Sequence, residues 1–472
     1  MRRLLGLLVL GACADGGPVV APAIDLPPPG SEADPVPQLD QIELSVARAG
    51  AATPLVAASF APDEPLVLDA VPLADDLVVH MTGRFAGAEV AYGRTCPFDL
   101  DARAAAPTPR LWFSRTVHWA TAPAPSGART GAGAWPTAAG GVAVALGERD
   151  GAPITEVEVL DPDTARWTTV AAVAPRRGGV VTRFAAGRGL LLGGRDAARA
   201  LQPLVEVVDP FAAMAVRVEA VTDPRLALDD TAAATLDSGA VVVMGGLGAT
   251  GPVDAVVVIE PGEVEDLAIR TIAARLTVAR SDHTLTPLSD DVGAPIVVIG
   301  GRDAAGAPVS IAELYRPLSE AFSTAPPHRL VVPRHGHQAA RLPDGSVVVV
   351  GGRDASGTAV AAIERFTIDE GFVIAGTLPA TAGLVDATLT ALPDGRLLLA
   401  GGRDRGGAAV ATAFVLRLDP LDGTVDVTAT DDLEASRDGH AAAVLCDGTV
   451  VVIGGTVDAS AERYQPPSVG RR

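Results

Sequence analysis

The sequence predicts an all-β fold of propeller type: seven four-stranded blades preceded by a small β-sandwich-like domain. Three observations predict it. A glycine pair ends a hydrophobic run at Gly193-Gly194, Gly245-Gly246, Gly300-Gly301, Gly351-Gly352, Gly401-Gly402 and Gly454-Gly455, and a worn copy keeps Gly147 alone. The second glycines, at 147, 194, 246, 301, 352, 402 and 455, stand 47 to 55 residues apart, the length of one propeller blade. Each copy also divides into four strand-like runs separated by turn residues.

The fifth copy shows all four runs. Residues 337–341 open it, and Leu342-Pro343-Asp344-Gly345 makes a tight turn of the kind Pro and Gly favour. The unbroken valines before Gly351 read as an inner strand covered on both faces. Residues 363–366 and 372–375 supply the third and fourth strands. A glycine pair after the second strand permits a positive φ and a close backbone approach that a Cβ would block.

The pattern resembles the kelch family, whose blades carry a glycine doublet and then two aromatics seven residues apart. Here Leu160 precedes Trp167 and Tyr315 precedes Phe322 by that spacing, while Phe366 and Phe372 are one residue closer. The resemblance covers roughly residues 129 to 468 and implies a kelch-type propeller. It implies little about activity, because one fold hosts unrelated functions. The seventh copy ends without a fourth strand. An aromatic segment at 111–120 is the expected donor of a closing strand, within a propeller spanning 110–468.

Residues 1–12 resemble a bacterial lipoprotein signal peptide. Arg2-Arg3 and a short apolar run lead to Leu10-Gly11-Ala12-Cys13, too short to span a bilayer. The resemblance implies cleavage before Cys13 and its lipidation; a plain secretory signal is the alternative. Residues 13–38, with Pro27-Pro28-Pro29, read as a tether. Residues 39–109 hold short β-like runs and are expected to form the small sandwich, a spacer or docking module.

The formal charge of −20 argues against nucleic acid as a partner. All 37 basic residues are Arg, so lysine Schiff-base chemistry is excluded, as is Asn-linked glycosylation in a chain without Asn. With Cys13 lipidated, Cys96 and Cys446 remain. In an oxidising envelope they either pair across domains or stay as two buried thiols.

The candidate ligand-facing residues are repeated charges. Arg129, Arg176, Arg280, Arg334 and Arg437 fall in one phase, with His283, His337 and His440 three residues after the last three. Asp150, Asp196, Asp303, Asp354 and Asp404 end the Gly-Arg-Asp loops expected on the same face. Two readings are open: a ring of charges that binds ligand, or Arg–Asp pairs that fix loop geometry. The galactose-oxidase-like relatives of kelch proteins carry copper on two His and two Tyr. His335 and His337 are candidates for that role, but Tyr92, Tyr315 and Tyr464 are poorly placed, so no metal or other cofactor is expected.

The functional expectation is a lipid-anchored, non-catalytic binding or scaffold protein of the bacterial envelope, periplasmic or surface-facing, that holds a protein, peptide or glycan. A galactose-oxidase-like or carbohydrate-active enzyme is the alternative.

Overall fold

The computed structural model describes residues 19–101, 108–210, 217–262, 267–323 and 328–468. Residues 1–12, expected to be a signal peptide, and Cys13 lie outside the described residues. Among those described, seven antiparallel sheets follow one another along the chain, the first six with their strands side by side in sequence order. The first holds Gly133–Pro136, Val142–Ala145, Glu156–Asp161 and Arg166–Ala172. The next five open with Val180–Arg183, Ala232–Thr235, Thr284–Pro287, His335–Arg341 and Thr388–Ala391. The last holds Ala441–Val444, Val450–Ile453 and Ala461–Tyr464. The opening strands touch their neighbours in turn, and the seventh touches the first, so the sheets surround one axis. This is an all-β, propeller-like arrangement.

Second strands such as Val241–Met244, Ile296–Ile299 and Val450–Ile453 are buried at every position. Their β-branched and aliphatic residues suit a pleated strand packed on both faces. The seventh sheet takes its fourth strand from Trp119–Ala122, which pairs with Ala461–Tyr464. The closing segment thus begins later than the 111–120 expected. Leu111 and Phe113 are fully buried in another core, that of the N-terminal sheet.

That sheet has six strands, ordered Val56–Phe60, Gln41–Arg48, Ala74–Phe85, Ala88–Arg94 and Ser114–Arg115, with Phe98–Leu100 on the central one. The segment expected to be a tether is folded onto it from Val20 onward. Val20 is buried and bridges Leu68, and Ala23–Asp25 pairs in parallel with Arg110–Trp112. Buried apolar anchors outweigh the Pro-rich composition here.

A disulfide joins Cys96 to Cys446 in the first turn of the seventh sheet. Arg94 donates to the Cys446 carbonyl at 3.1 Å, and Arg110 to the Asp163 carbonyl of the first sheet at 2.9 Å. These contacts seat the N-terminal sheet on the rim carrying the turns between first and second strands. The opposite rim carries the glycine loops.

The glycine doublets stitch neighbouring sheets. The second glycine donates its N–H to one carbonyl at the entry of the next sheet: Gly194 to Leu228, Gly246 to Arg280, Gly301 to Arg334, Gly352 to Leu384, Gly402 to Arg437 and Gly455 to Arg129, at 2.7 to 3.1 Å. The first glycine has φ between +58° and +73°. A Cβ there would lie 2.1 to 2.7 Å from that same carbonyl oxygen. In the worn copy Leu146 holds the position at φ +63°.

Gly351→Ala should therefore lower stability by about 2–4 kcal/mol, since its Cβ would meet the Leu384 oxygen at 2.3 Å at φ +69°. Gly357→Ala, at φ +78° with open space around it, should cost only about 1 kcal/mol. Equal shifts of the two urea midpoints would show that the close approach does not matter.

Candidate functional site: the charged mouth of the sheet ring

The five in-phase arginines do not face a ligand. Arg129, Arg176, Arg280, Arg334 and Arg437 have fully buried side chains, each paired with a buried glutamate of the third strand: Glu158, Glu206, Glu313, Glu364 and Glu462. Arg280 meets Glu313 at 2.6 Å and Arg334 meets Glu364 at 2.7 Å. In Arg176, Arg280, Arg334 and Arg437 the guanidinium also donates to carbonyls of its own sheet; Arg334 reaches Gly351 at 3.2 Å and Ala362 at 2.9 Å. The glutamate accepts from the linker before the arginine, as Glu364 does from Val331 at 2.8 Å and Val332 at 3.0 Å. Each pair ties the linker to its sheet.

The remaining two described pair positions decide the role. In the third and sixth sheets Leu228 and Leu384 stand where the others have Arg, and the glutamate positions hold Val257 and Phe414. Leu228 and Val257 share one apolar cluster, and Leu384 and Phe414 another. An ion pair that exchanges as a unit for an apolar pair is a packing element. The expected ring of ligand-facing arginines is thus replaced by internal Arg–Glu knots, and the expected Asp partners by Glu.

The loop aspartates fold their own turns. Asp196 Oδ1 accepts from Ala200 N–H at 2.9 Å, Asp303 from Ala305 and Ala307, Asp354 from Ser356 and Thr358, and Asp404 from Ala408 at 2.9 Å. The Ser356 hydroxyl and backbone N–H groups hold the Asp354 carboxyl below its ordinary range. Asp side chains that cap a turn this way are structural. Asp150 is exposed at φ +52°.

What faces the mouth are the two residues after each buried arginine or its leucine substitute, apart from Ser281, which is buried. The second of them is Gly131, Gly178, Asp230, Asp282, Gly336, Asp386 or Gly439, each with φ between +46° and +69°. Several are linked around the axis: Asp282 N–H to Asp230 O at 2.8 Å, Gly336 to Asp282 at 3.0 Å, Gly439 to Asp386 at 3.2 Å and Gly131 to Gly439 at 2.7 Å. The loop arginines lean over this collar. Arg195 pairs with Asp229 at 2.6 Å, Arg302 with Asp230 at 2.8 Å, and Arg403 with Asp438 at 2.6 Å and Asp386 at 3.7 Å. His335 Nδ1 meets Asp282 Oδ2 at 2.7 Å. Burial, then Asp229 and Asp282, pushes the Asp230 carboxyl above its usual range; burial with Asp438 and Asp282 does the same to Asp386.

These residues were missed in the sequence although a signal existed. The arginine of the Gly-Gly-Arg-Asp loops recurs in phase at 195, 302, 353 and 403 beside the candidate aspartates.

The in-phase histidines are interior. His337 Nε2 bonds Thr284 Oγ1 of the preceding sheet at 2.9 Å, and His440 Nε2 bonds Thr388 Oγ1 at 2.9 Å. Their rings use space left by the preceding doublet: a Cβ on Gly300 would lie 2.6 Å from His337, and one on Gly401 2.7 Å from His440. His283 packs likewise against Gly245. Burial, with the adjacent arginine, pulls all three imidazoles down to about 3.

A copper site of two His and two Tyr does not fit these residues. Tyr315 is in the core against Phe322, where burial pushes its phenol up to about 12. Tyr464 is fully buried against Trp119, and Tyr92 bonds His80 at 2.6 Å in the N-terminal sheet. Among the described residues, no three His, Cys, Asp or Glu side chains form a group able to hold a metal ion.

No protein-family model and no curated protein matches the sequence. Solved structures do match. A fungal alcohol oxidase of the AA5 family, determined with copper, superimposes with a TM-score of 0.56 at 15% identity, over 74% of this chain and 76% of its own. The protein YjhT gives 0.44 at 13% identity, over 58% of this chain and 89% of its own. The alcohol oxidase thus shares the all-β, propeller-like fold of this chain. At such identity the likeness extends to fold alone.

Proposed function

We propose that the seven sheets are the blades of one kelch-type propeller, that residues 20–115 form a small β domain on its far rim, and that the protein is a binding or scaffold module of the bacterial envelope, anchored through lipidated Cys13. The observation carrying this reading is the mouth: half-exposed Arg–Asp pairs on a rigid backbone collar, on the rim away from the N-terminal sheet. Charges held this way suit polar recognition of a protein, peptide or glycan, because the collar pre-orders them at little entropic cost. Membrane attachment would rest on the lipid, since no helix among the described residues is long and apolar enough to cross a bilayer.

The test uses soluble, unlipidated protein in a pull-down from envelope extract. Arg302→Ala with Arg403→Ala should abolish specific capture and leave the melting temperature within a few degrees, because pairs this exposed contribute only about 0–1 kcal/mol each. Undiminished capture would remove the mouth as the binding face. Cys13→Ser should release the protein from membranes; retention after a carbonate wash would remove the anchor. Oxidase or glycosidase turnover lost in His335→Ala would replace the binding reading with an enzymatic one.

A further inference from the structure

The rim opposite the mouth carries a feature the repeat does not require. Six of the seven connections between first and second strands are five residues long: 137–141, 184–188, 236–240, 342–346, 392–396 and 445–449. The fourth sheet uses eight, 288–295, between Thr284–Pro287 and Ile296–Ile299. In repeat folds such insertions lie on one face, often a binding face. This one walls a cleft of about 600 Å³ across the second, third and fourth sheets.

The cleft wall combines two properties. Its lining carries five carboxylates, Asp237, Glu260, Asp290, Asp291 and Glu320, against two guanidiniums, Arg183 and Arg270. Arg270 is shared between Glu260 at 3.0 Å and Glu320 at 2.5 Å, so one guanidinium serves two acids. Asp290 reaches out to Arg341 at 2.5 Å, and Asp291 accepts from the neutral hydroxyl of Ser289 at 2.9 Å. Beside these acids stand two large aliphatics in water: Val292, 72% exposed, on the insertion, and Leu318, 79% exposed, packed over Gly293. Adjacent exposed aliphatics beside an excess of acid over base suit a contact surface.

We infer that this cleft is a second docking surface, for a protein segment that presents a Lys or Arg beside an aliphatic side chain. The aliphatic covers Val292 and Leu318, and the cation meets Asp237 and Asp291. The charge excess selects a basic segment over an acidic one. The surface is independent of the mouth, and the N-terminal sheet's contacts with the seventh and first sheets leave it open.

The probe is a fluorescein-labelled peptide of alternating Lys and Leu, with a Glu-Leu peptide of equal length as control, titrated against the full chain by anisotropy. The unaltered protein should bind the Lys-Leu peptide at least tenfold more tightly than the control, with affinity falling as salt rises. Asp237→Asn with Asp291→Asn, and separately Val292→Ser with Leu318→Ser, should each weaken binding about tenfold while near-ultraviolet circular dichroism stays unchanged. Arg302→Ala with Arg403→Ala at the mouth should leave it unaltered, which separates this site from the one proposed above. Binding that survives both cleft variants, or that disappears in the mouth variant, overturns the inference.

Discussion

Arg334→Ala should destabilise the protein by about 3–5 kcal/mol, enough to expose much of it to unfolding at 37 °C. The substitution leaves Glu364, with no exposed surface, as a buried anion without its counter-charge, and frees the carbonyls of Gly351 and Ala362. The third and sixth sheets indicate how the loss is repaired, because both charges are absent there together. A direct copy, with Val for Glu364, would strand the N–H groups of Val331 and Val332. In the third sheet Asp223 serves the corresponding Arg225 N–H at 2.9 Å, and in the sixth the Pro379 carbonyl serves Ala382 at 3.0 Å. Arg334→Leu combined with Glu364→Gln removes both charges and keeps an acceptor for the linker. It should recover at least about 2 kcal/mol of the loss. Urea midpoints of the single and double variants decide the matter; a double variant no more stable than Arg334→Ala would refute the exchangeable-pair account.

The same comparison between repeats shows what the sequence made legible. The glycine pairs set the period because each does a backbone task, a positive φ and a stitch to the next sheet, that no other side chain performs without strain. The arginines were equally visible, but their partners lie 25 to 33 residues downstream within strands, where one Glu among Val and Leu looks like an alternating surface position. The correlated change at Leu228 with Val257 and at Leu384 with Phe414 was the available clue. Apolar character alone could not assign Leu111 and Phe113, since either core would accept them. The mouth was half legible: its arginines recur in phase, but Asp230, Asp282 and Asp386 sit where the other repeats use glycine, so no shared letter marks the collar. Pro-rich composition also concealed the packing of Val20 and Ala23–Asp25, because strand pairing there depends on a partner at Arg110–Trp112, distant in sequence.

Acidification should unfold this protein early, through His283, His337 and His440. Each is held neutral in the folded state, with its imidazole at about 3 against an ordinary value near 6.5. Between those values the unfolded chain binds a proton at each histidine that the folded chain refuses, so stability rises with pH and falls as pH drops below about 6.5. The slope approaches about 1.4 kcal/mol per pH unit for each histidine below pH 6.5, so a drop from pH 6.5 to 5 should remove on the order of 5 kcal/mol for the three. Asp230, Asp386 and Glu462 act in the opposite sense. Burial raises their folded-state values, so they favour the folded state as they protonate. Their protonation offsets part of the loss that the histidines cause. The first and sixth sheets hold Ala132 and Ala387 at the histidine position, which makes alanine a tolerated replacement. His283→Ala, His337→Ala and His440→Ala together should lose some packing at pH 7.5 yet flatten the urea midpoint across that range. A triple variant with an unchanged slope would mean that other groups govern the acid response.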